Sequence, residues 1–323
     1  MSFSVHPVAL SDTISNSLVP IRQGLFGGPK PLFLNHYTSP SVVESIIENR
    51  CLWATSVAEQ ADKTEISHAA SIVNDAAQQI ASRCGCPFAW DVLQQLPHFM
   101  EERKSWIFIA CFCDDSNSEP HWNNYGDCCL TFPTPWRSGA SLGISSWQSE
   151  CWYQRVVYDG TLQRRALEQA LDSVVVAISE HTSGENKGSW ANAMVSSCAR
   201  NIAQLLLALA AGFKHESYAW EREWRIVCSP PLGTNSSAPA WLDENFETRI
   251  KRRAYSKAHI ELQFRNGLAI SQPLLRPPIP FLNWALNPAR YVSEKARRIN
   301  HALDEAGRHD LTLRIRAEAA TSS

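Results

Sequence analysis

The sequence predicts an α+β domain in which a mixed β-sheet is covered by helices. Three observations predict it: short apolar or alternating runs typical of strands, longer runs with apolar residues at helical spacing, and an uneven interleaving of the two along the chain. We expect an irregular segment over 1–30, ending in the turn-rich GLFGGPKP, and a single domain over 31–323. That domain includes a helical insertion at about 161–213.

The first half of the chain alternates between strand and helix signals. LFLNHYT over 32–38 predicts a strand, and the following Ser-Pro pair caps a helix. An extended segment is expected over 51–56, and a helix with regularly spaced apolar residues over 64–83. WIFIACFC over 106–113 is apolar on both faces, which is typical of a central strand.

The second half continues with further strands around the helical insertion. The tail predicts a helix with Ser293 as its cap and Gly307 at its end, followed by a strand, and has the length of a βαβ unit. Strands are expected over 128–132, 152–160, 220–227, 259–264 and 311–317.

Composition narrows the class of protein before any motif is considered. Of the residues, 44% are apolar and 19% are charged, which argues against disorder. The 30 basic and 32 acidic residues leave a net charge of -2, so no overall basic field indicates nucleic-acid binding. The N-terminus lacks a secretory signal, and the longest apolar stretch, 202–213, is shorter than the ~20 residues that span a bilayer. We therefore expect a soluble, cytoplasmic protein with no membrane partner.

The ten cysteines include two C-x-C pairs and no C-x-x-C pair. A metal site built from Cys84, Cys86, Cys111 and Cys113 is one interpretation, although structural zinc ligands usually lie two to four residues apart with a second such pair. The other interpretation is that these cysteines are small buried hydrophobes, as the apolar surroundings of Cys111 indicate. We favour the second and expect no metal.

Two polar and aromatic stretches are candidates for ligand binding. His36 and Tyr37 end the first strand, where an imidazole can bond a ligand hydroxyl while its other nitrogen is held by the backbone. Trp122 and Tyr125 share one face of a short helix that Gly126 ends, and together they can stack a flat ring. Each stretch also has a structural interpretation, in which these rings form part of the core.

A third stretch, YAWEREWRIV, predicts a charged face on a late strand. Side-chain alternation places Glu221, Glu223 and Arg225 on one face, and Trp220 and Trp224 on a buried face. The two carboxylates would lie roughly 7 Å apart and would need a cation or a ligand to compensate their repulsion. Such a face can stabilise a positively charged transition state, or Arg225 can simply pair with Glu223. We favour Glu223 as the functional carboxylate, oriented by Arg225 with its second oxygen free.

The three stretches together resemble a known family. HYTSPSVVESIIENRCLWATS, then WNNYG with CLTF, and then EREWRIV occur in the order seen in bacterial domain-of-unknown-function family 2971, whose members are sometimes labelled abortive-infection proteins. IACFCDD precedes HWNNYG as in that family, and FLNWALNP with LTLRIRA matches its closing strand–helix–strand. The resemblance spans about 32–317, with departures at the abrupt GDCCLTF and at VAEQADKTEISH. It implies a role in phage defence or a toxin-like role.

The family's ordered His, aromatic residue and Glu are similar to the His–Tyr–Glu pattern of ADP-ribosyltransferases. This resemblance implies an ADP-ribosyltransferase-like fold and NAD as the substrate. It implies that His36 bonds a ribose and that Tyr125 or Tyr37 stacks on nicotinamide. Trp122 and Arg225 complete the expected NAD-binding set.

The same resemblance assigns the catalytic roles to two glutamates. Glu223 would bond the ribose 2′-hydroxyl and stabilise the oxocarbenium-like state as nicotinamide leaves, and Glu221 would handle the acceptor. This chemistry needs placement and a well-aimed negative charge, because nicotinamide is already a cationic leaving group. The acceptor of ADP-ribose would be an unknown macromolecule, either a protein or a nucleic acid.

Two other functions stay open at the level of the sequence. One is a carboxylate-pair hydrolase acting on another glycosidic or phosphate bond, supported by Glu221 and Glu223. The other is a non-catalytic ligand-binding or sensor protein of the same fold. The chain has no G-x-G-x-x-G fingerprint, so a site for NAD would not be of the Rossmann type. Basic clusters at 249–253 and 296–298 either touch nucleic acid or form solvated helix faces.

Overall fold

The fold is given by a computed structural model. It describes residues 7–26, 29, 31–49, 51–60, 64–133, 144–145, 151–182, 192–229, 259–264, 272–275, 288–308 and 314–315. The helices are α1 (Pro7–Phe26), α2 (Pro40–Asn49), α3 (Thr64–Arg83), α4 (Pro87–Arg103), α5 (Glu119–Tyr125), α6 (Gly160–Thr182), α7 (Asn192–Ala210) and α8 (Pro288–Glu305). The strands are β1 (Phe33–Thr38), β2 (Cys51–Ser56), β3 (Phe108–Cys113), β4 (Cys128–Pro133), β5 (Ile144–Ser145), β6 (Cys151–Arg155), β7 (Glu223–Cys228), β8 (His259–Phe264), β9 (Gln272–Leu275) and β10 (Arg314–Ile315).

The described strands form one sheet with the order β10-β9-β4-β1-β3-β2-β8-β5, and β7 pairs with both β3 and β6. The pairings are antiparallel apart from that of β9 with β10, which is parallel. The predicted combination of helices with a β-sheet is therefore confirmed. The strands β9 and β10 are parallel neighbours with α8 between them in the chain, so the tail contains a βαβ unit, although its first strand, β9, precedes the FLNWALNP segment from which the unit was expected.

The central strand of the sheet is β3, as its apolar run predicts. Its side chains alternate between two buried clusters, since Ile109 packs under the helices α1, α3, α4, α6 and α7, while Phe108 and Ala110 pack on the opposite side with α2 and α8. The neighbouring β7 follows the same rule, with Val227 in the first cluster and Ile226 in the second. Both faces of the sheet centre are therefore covered.

The segment at about 161–213, expected to be a helical insertion, contains α6 and α7, which contribute much of the first cluster. It connects β6 to β7, which pair directly, so α6 and α7 are an excursion between two neighbouring strands. Among the described helices, α7 alone is long and apolar enough to cross a membrane, which corrects the expectation drawn from the shorter stretch 202–213. However, 67% of its apolar window is buried, as is typical of the core helix of a soluble protein.

The N-terminal segment is not irregular as predicted, because residues 7–26 form α1. Its Ile14, Leu18 and Phe26 are buried in the cluster shared with α6 and α7. Phe26 packs so closely on Gly212 that a Cβ there would lie 2.8 Å from the ring. A helix interrupted by Pro20 has a weak sequence signal, and its stability comes from this tertiary packing.

Several element boundaries also differ from those predicted. The helix α4 and the strands β5 and β9 have no counterpart among the sequence predictions, and β6 ends at Arg155 because the chain turns into α6 at Gly160. The last helix begins at Pro288 rather than at a Ser293 cap, although Gly307 ends it with a φ of 72° as expected. The basic cluster 249–253 and most of the predicted strand 311–317 lie outside the described residues.

Gly126 ends α5 in a backbone conformation that residues other than glycine rarely adopt, with φ 127° and ψ 179°. A Cβ at this position would lie 2.6 Å from the Thr38 carbonyl carbon and 2.9 Å from the Ser39 nitrogen. We expect Gly126→Ala to lower the free energy of unfolding by about 2–4 kcal/mol, through backbone strain and overpacking together. Gly85→Ala is the control, since nothing lies within 4 Å of its Cβ position. Equal urea-unfolding curves for the two variants would contradict this account.

Candidate functional site

A cavity of about 280 Å³ opens where β1, β3, β7 and α5 meet. It brings together His36, Tyr125 and Glu223, as predicted, although these residues are far apart in the sequence. Besides these four elements, the segments after β2 and α7 and the residues just before β7 contribute lining side chains, so polar groups reach the cavity from distant parts of the chain. The lining residues are Asn35, His36, Tyr37, Gln60, Cys111, Phe112, Cys113, His121, Tyr125, Lys214, Glu221, Glu223 and Arg225.

The cavity lies at a split in the sheet. Because β7 occupies one edge of β3 along its whole length, β1 and β2 share the other edge: β1 pairs at Cys113, and β2 pairs at Ile109 and Phe108. Between these two contacts, the Cys111 carbonyl accepts a hydrogen bond of 2.9 Å from Nδ1 of His36. The side chain of His36 thus takes the place of a strand partner.

Burial and this hydrogen bond together determine the protonation and the tautomer of the His36 ring. Burial lowers the pKa of His36, although the hydrogen bond to Cys111 acts in the opposite direction. The ring is therefore neutral with its proton on Nδ1, which leaves Nε2 as an acceptor. The expectation that the backbone holds one imidazole nitrogen is confirmed, and the second nitrogen can accept a ligand hydroxyl.

The charged stretch departs from simple strand alternation. Residues Glu216–Glu221 form a 3₁₀-helix, Arg222 is left-handed with φ 47°, and β7 begins only at Glu223. Trp224 is buried as predicted, but Trp220 is 40% exposed, which corrects its assignment to the buried face. The turn at Arg222 still brings Glu221 and Glu223 to the same cavity, where both are buried.

A buried cluster of four charges forms the floor of the site. Arg225 holds both oxygens of Glu223, with Nε donating to Oε1 at 2.8 Å and Nη2 donating to Oε2 at 2.9 Å. Lys214 lies between the carboxylates, donating to Glu223 at 3.3 Å and to Glu221 at 2.5 Å. The prediction of a free second oxygen on Glu223 is therefore wrong, because a guanidinium fork matches both carboxylate oxygens at once.

Of the two carboxylates, Glu221 is the one with hydrogen-bond acceptor sites left for a ligand. Its Oε1 accepts a hydrogen bond of 2.7 Å from the Tyr125 hydroxyl, and its Oε2 accepts that from Lys214. A carboxylate has about four lone-pair sites, so Glu221 retains capacity toward the cavity. On Glu223 those sites are taken by Arg225, Lys214 and the thiol of Cys111. Glu221 is thus better placed than Glu223 to contact a ligand.

The environment moves the pKa values of the two glutamates apart. Burial raises the pKa of Glu221, against the opposing hydrogen bonds from Lys214 and Tyr125. Burial acts in the same direction on Glu223, but the charge and hydrogen bonds of Arg225, together with the charge of Lys214, outweigh it and hold this pKa at about 2. Glu223 is therefore a fixed negative charge at neutral pH.

The aromatic candidates separate into lining and buried rings. Tyr37 lines the cavity, and its hydroxyl donates to the Asp115 carbonyl at 2.7 Å while accepting from the Ser118 amide at 3.0 Å. Tyr125 also lines it and is 46% exposed. Trp122 does not line the cavity: it is buried edge-on against Tyr37, with ring centroids 5.0 Å apart. The structural interpretation is correct for Trp122, because its helix turns this ring toward the core.

Among the lining residues that were not candidate site residues in the sequence prediction, Lys214 and His121 bear most directly on the chemistry of the site. Lys214 follows α7 and supplies the cation that the pair of carboxylates required. No sequence pattern linked this lysine to the two glutamates. His121 lies between the rings of Tyr37, at 4.9 Å, and Tyr125, at 5.5 Å, and burial lowers its pKa. The residue directly precedes Trp122, so a histidine beside a candidate aromatic was the available signal.

The cysteines do not form the metal site considered from their spacing. No three of the described His, Cys, Asp and Glu side chains are grouped so as to hold a metal ion. Cys84 and Cys86 lie between α3 and α4, whereas Cys111 and Cys113 lie on β3. Buried thiols such as Cys113, whose pKa is raised by burial to about 12, are inert. Cys228, which was not among the four cysteines considered for the metal site, is disulfide-bonded.

Comparisons with protein families, curated proteins and solved structures found no relative of this chain. No family model matches the chain, and neither a curated protein nor a solved structure matches it. The resemblance to domain-of-unknown-function family 2971 and to ADP-ribosyltransferases accordingly remains a prediction that depends on the quoted motifs.

Proposed function

We propose that this cavity binds NAD and cleaves its nicotinamide–ribose bond, and that the protein is an ADP-ribosyltransferase-like enzyme or an NAD glycohydrolase. The observation that carries the proposal is the convergence of His36, Tyr125 and the Glu221–Glu223 pair on one buried cavity. Polar groups that converge in a cleft from distant parts of a chain are typical of a ligand site.

In the proposed reaction, the carbon–nitrogen bond breaks and its electron pair leaves with nicotinamide, which becomes neutral. The ribose carbon is left as an oxocarbenium-like cation, and a lone pair of water or of an acceptor then forms the new bond. The attacking group loses its proton to a base or to solvent. Preorganised negative charge lowers the energy of the cationic state, because it needs no rearrangement during the reaction.

The residues divide this work according to their bonding. Glu223 supplies a fixed negative charge, since Arg225 and Lys214 hold it in place. Glu221 accepts a bond from a ribose hydroxyl through its remaining lone pairs, and His36 accepts another at Nε2. Tyr125, tied to Glu221 at 2.7 Å, or Tyr37 stacks on the nicotinamide ring. This assignment gives Glu221, rather than Glu223, the direct contact with the substrate.

The direct test is the release of nicotinamide when purified protein is incubated with NAD. Chromatography should show nicotinamide together with either free ADP-ribose or a modified acceptor. Unchanged NAD, with and without a bacterial lysate as the source of acceptor, would overturn the proposal. Cleavage of NAD without any modified protein or nucleic acid would identify a glycohydrolase.

A second candidate is the hydrolysis of another glycosidic bond. It is supported by the opposed pKa shifts of Glu221 and Glu223, because acid and base roles in glycosidases are assigned to carboxylates whose environments differ in this way. A binding protein is supported instead by the saturation of Glu223, as in a structural ion-pair cluster. Cleavage of nucleosides or chromogenic glycosides by a protein that leaves NAD intact would favour the hydrolase.

The proposal extends to the setting of the reaction. We place it in the bacterial cytoplasm, where NAD is abundant, with a protein or nucleic acid as the acceptor and a phage-defence or toxin-like role. These assignments follow from the family resemblance. Reduced cellular NAD on expression of the wild-type protein, but not of a Glu221→Gln variant, would support them.

A further inference from the structure

A large aromatic side chain is exposed beside the cavity. Trp220 is 40% exposed, whereas the next residue, Glu221, is buried and lines the cavity. The Trp220 ring centroid lies 5.3 Å from that of His121, which also lines the cavity. Trp220 therefore lies at the rim rather than in the interior.

The rim carries a second exposed ring. Tyr125 is 46% exposed and its centroid is 5.5 Å from that of His121, so the buried imidazole is bordered by the two exposed rings. The left-handed turn at Arg222 separates Trp220 from the strand that buries Trp224. Simple alternation would have buried Trp220, and the local backbone instead presents it to solvent.

The cavity is too small to enclose a whole dinucleotide. Pockets that enclose a drug-sized ligand have volumes of about 300–1,000 Å³, and this cavity, at about 280 Å³, lies below that range. A dinucleotide has two rings, two riboses and a pyrophosphate. A cavity of this volume has room for one ring and its ribose, so the other half of a bound dinucleotide would lie outside the interior.

We propose that Trp220 is the stacking surface for the adenine base of the dinucleotide, with Tyr125 bordering the entrance between the two halves. The inference rests on the proposed function for the identity of the ligand. Aromatic rings stack on nucleobases with a contribution of about 1–3 kcal/mol per base on alanine substitution. The ligand class recognised at the rim is thus an adenine nucleotide, separate from the nicotinamide half in the interior.

The test measures binding by calorimetry for NAD, ADP-ribose and nicotinamide mononucleotide, which lacks adenine. Trp220→Ala should raise the Kd for NAD and ADP-ribose by about tenfold or more and leave that for the mononucleotide unchanged. Trp220→Phe should restore most of the affinity. Trp90→Ala is the matched control, because Trp90 on α4 is 47% exposed and does not line the cavity; it should bind all three ligands like the wild type.

The outcomes separate this inference from the proposed function. An unchanged Kd for ADP-ribose in Trp220→Ala, an equal loss for the mononucleotide, or no binding of ADP-ribose by the wild type would overturn the stacking role. Wild-type binding of ADP-ribose that depends on Trp220, without release of nicotinamide from NAD, would support the adenine site and contradict only the cleavage reaction.

Discussion

Replacing Arg225 by Met is expected to lower the free energy of unfolding by about 3–5 kcal/mol, because it removes one partner of a buried ion pair and leaves Glu223 charged without the guanidinium that holds both of its oxygens. Arg225 is 2% exposed, holds both oxygens of Glu223 and donates from Nη1 to the Ala211 carbonyl at 2.8 Å. Met matches the apolar stem of Arg but supplies none of these donors. Urea unfolding followed by circular dichroism measures the change.

Arg222→Met is the matched control for this substitution. Its guanidinium is also ion-paired, at 2.8 Å from Asp114, but the side chain is 53% exposed. An exposed pair contributes about 0–1 kcal/mol, so this variant should unfold close to the wild type. A loss from Arg225→Met no greater than that from Arg222→Met would show that the buried cluster does not stabilise the fold.

In the proposed reaction, Glu221→Gln is expected to reduce the rate of nicotinamide release from NAD by about 10²–10³, because the group that contacts the ribose loses its negative charge beside the cationic state. The amide keeps the shape of the side chain but loses the negative charge that faces the cavity. Because Lys214 retains Glu223 as a partner at 3.3 Å, we expect the melting temperature to fall less than in Glu223→Gln. Single-turnover kinetics and thermal unfolding on the same preparations measure both quantities.

Glu216→Gln provides the control, since Glu216 begins the same 3₁₀-helix but is exposed and lies outside the cavity lining. It should retain wild-type turnover. Glu223→Gln should lose both stability and activity, because it leaves Arg225 and Lys214 with one carboxylate fewer in a buried site. A stable Glu221→Gln protein with wild-type turnover would contradict the direct contact of Glu221 with the substrate, and a stable, fully active Glu223→Gln protein would remove the charge cluster from the mechanism.

Two of the sequence patterns were read correctly. The doubly apolar run that became β3 and the helical spacing that became α3 are set by local burial, which short segments record directly. The helix α1 could not be read in this way, since it contains Pro20 and is stabilised by packing on α6 and α7. Its helical state depends on partners more than a hundred residues away.

The candidate site was predicted in its composition but not in its bonding. His36, Tyr125, Glu221 and Glu223 meet in the cavity as expected, and the repulsion between two close carboxylates correctly required a cation. The identity of that cation, Lys214, was not predictable, because no local spacing joins it to the strand that carries Glu223. The expected free oxygen of Glu223 is occupied, since Arg225 and Lys214 hold both of its oxygens, and for this reason the proposed function gives the substrate contact to Glu221.

The sequence by itself determined the combination of helices with a sheet, the central strand and part of the cavity lining (His36, Tyr37, Tyr125, Glu221, Glu223 and Arg225), since periodicity and residue chemistry are local properties. The tertiary structure alone decided which side chains face the cavity and which are buried. Trp122 turned into the core and Trp220 turned out to solvent, although both were predicted from the same kind of alternation or spacing. The physical reason is that these orientations depend on contacts between distant segments, such as the ion pair of Arg222 with Asp114 and the packing of Trp122 on Tyr37, which no short pattern encodes.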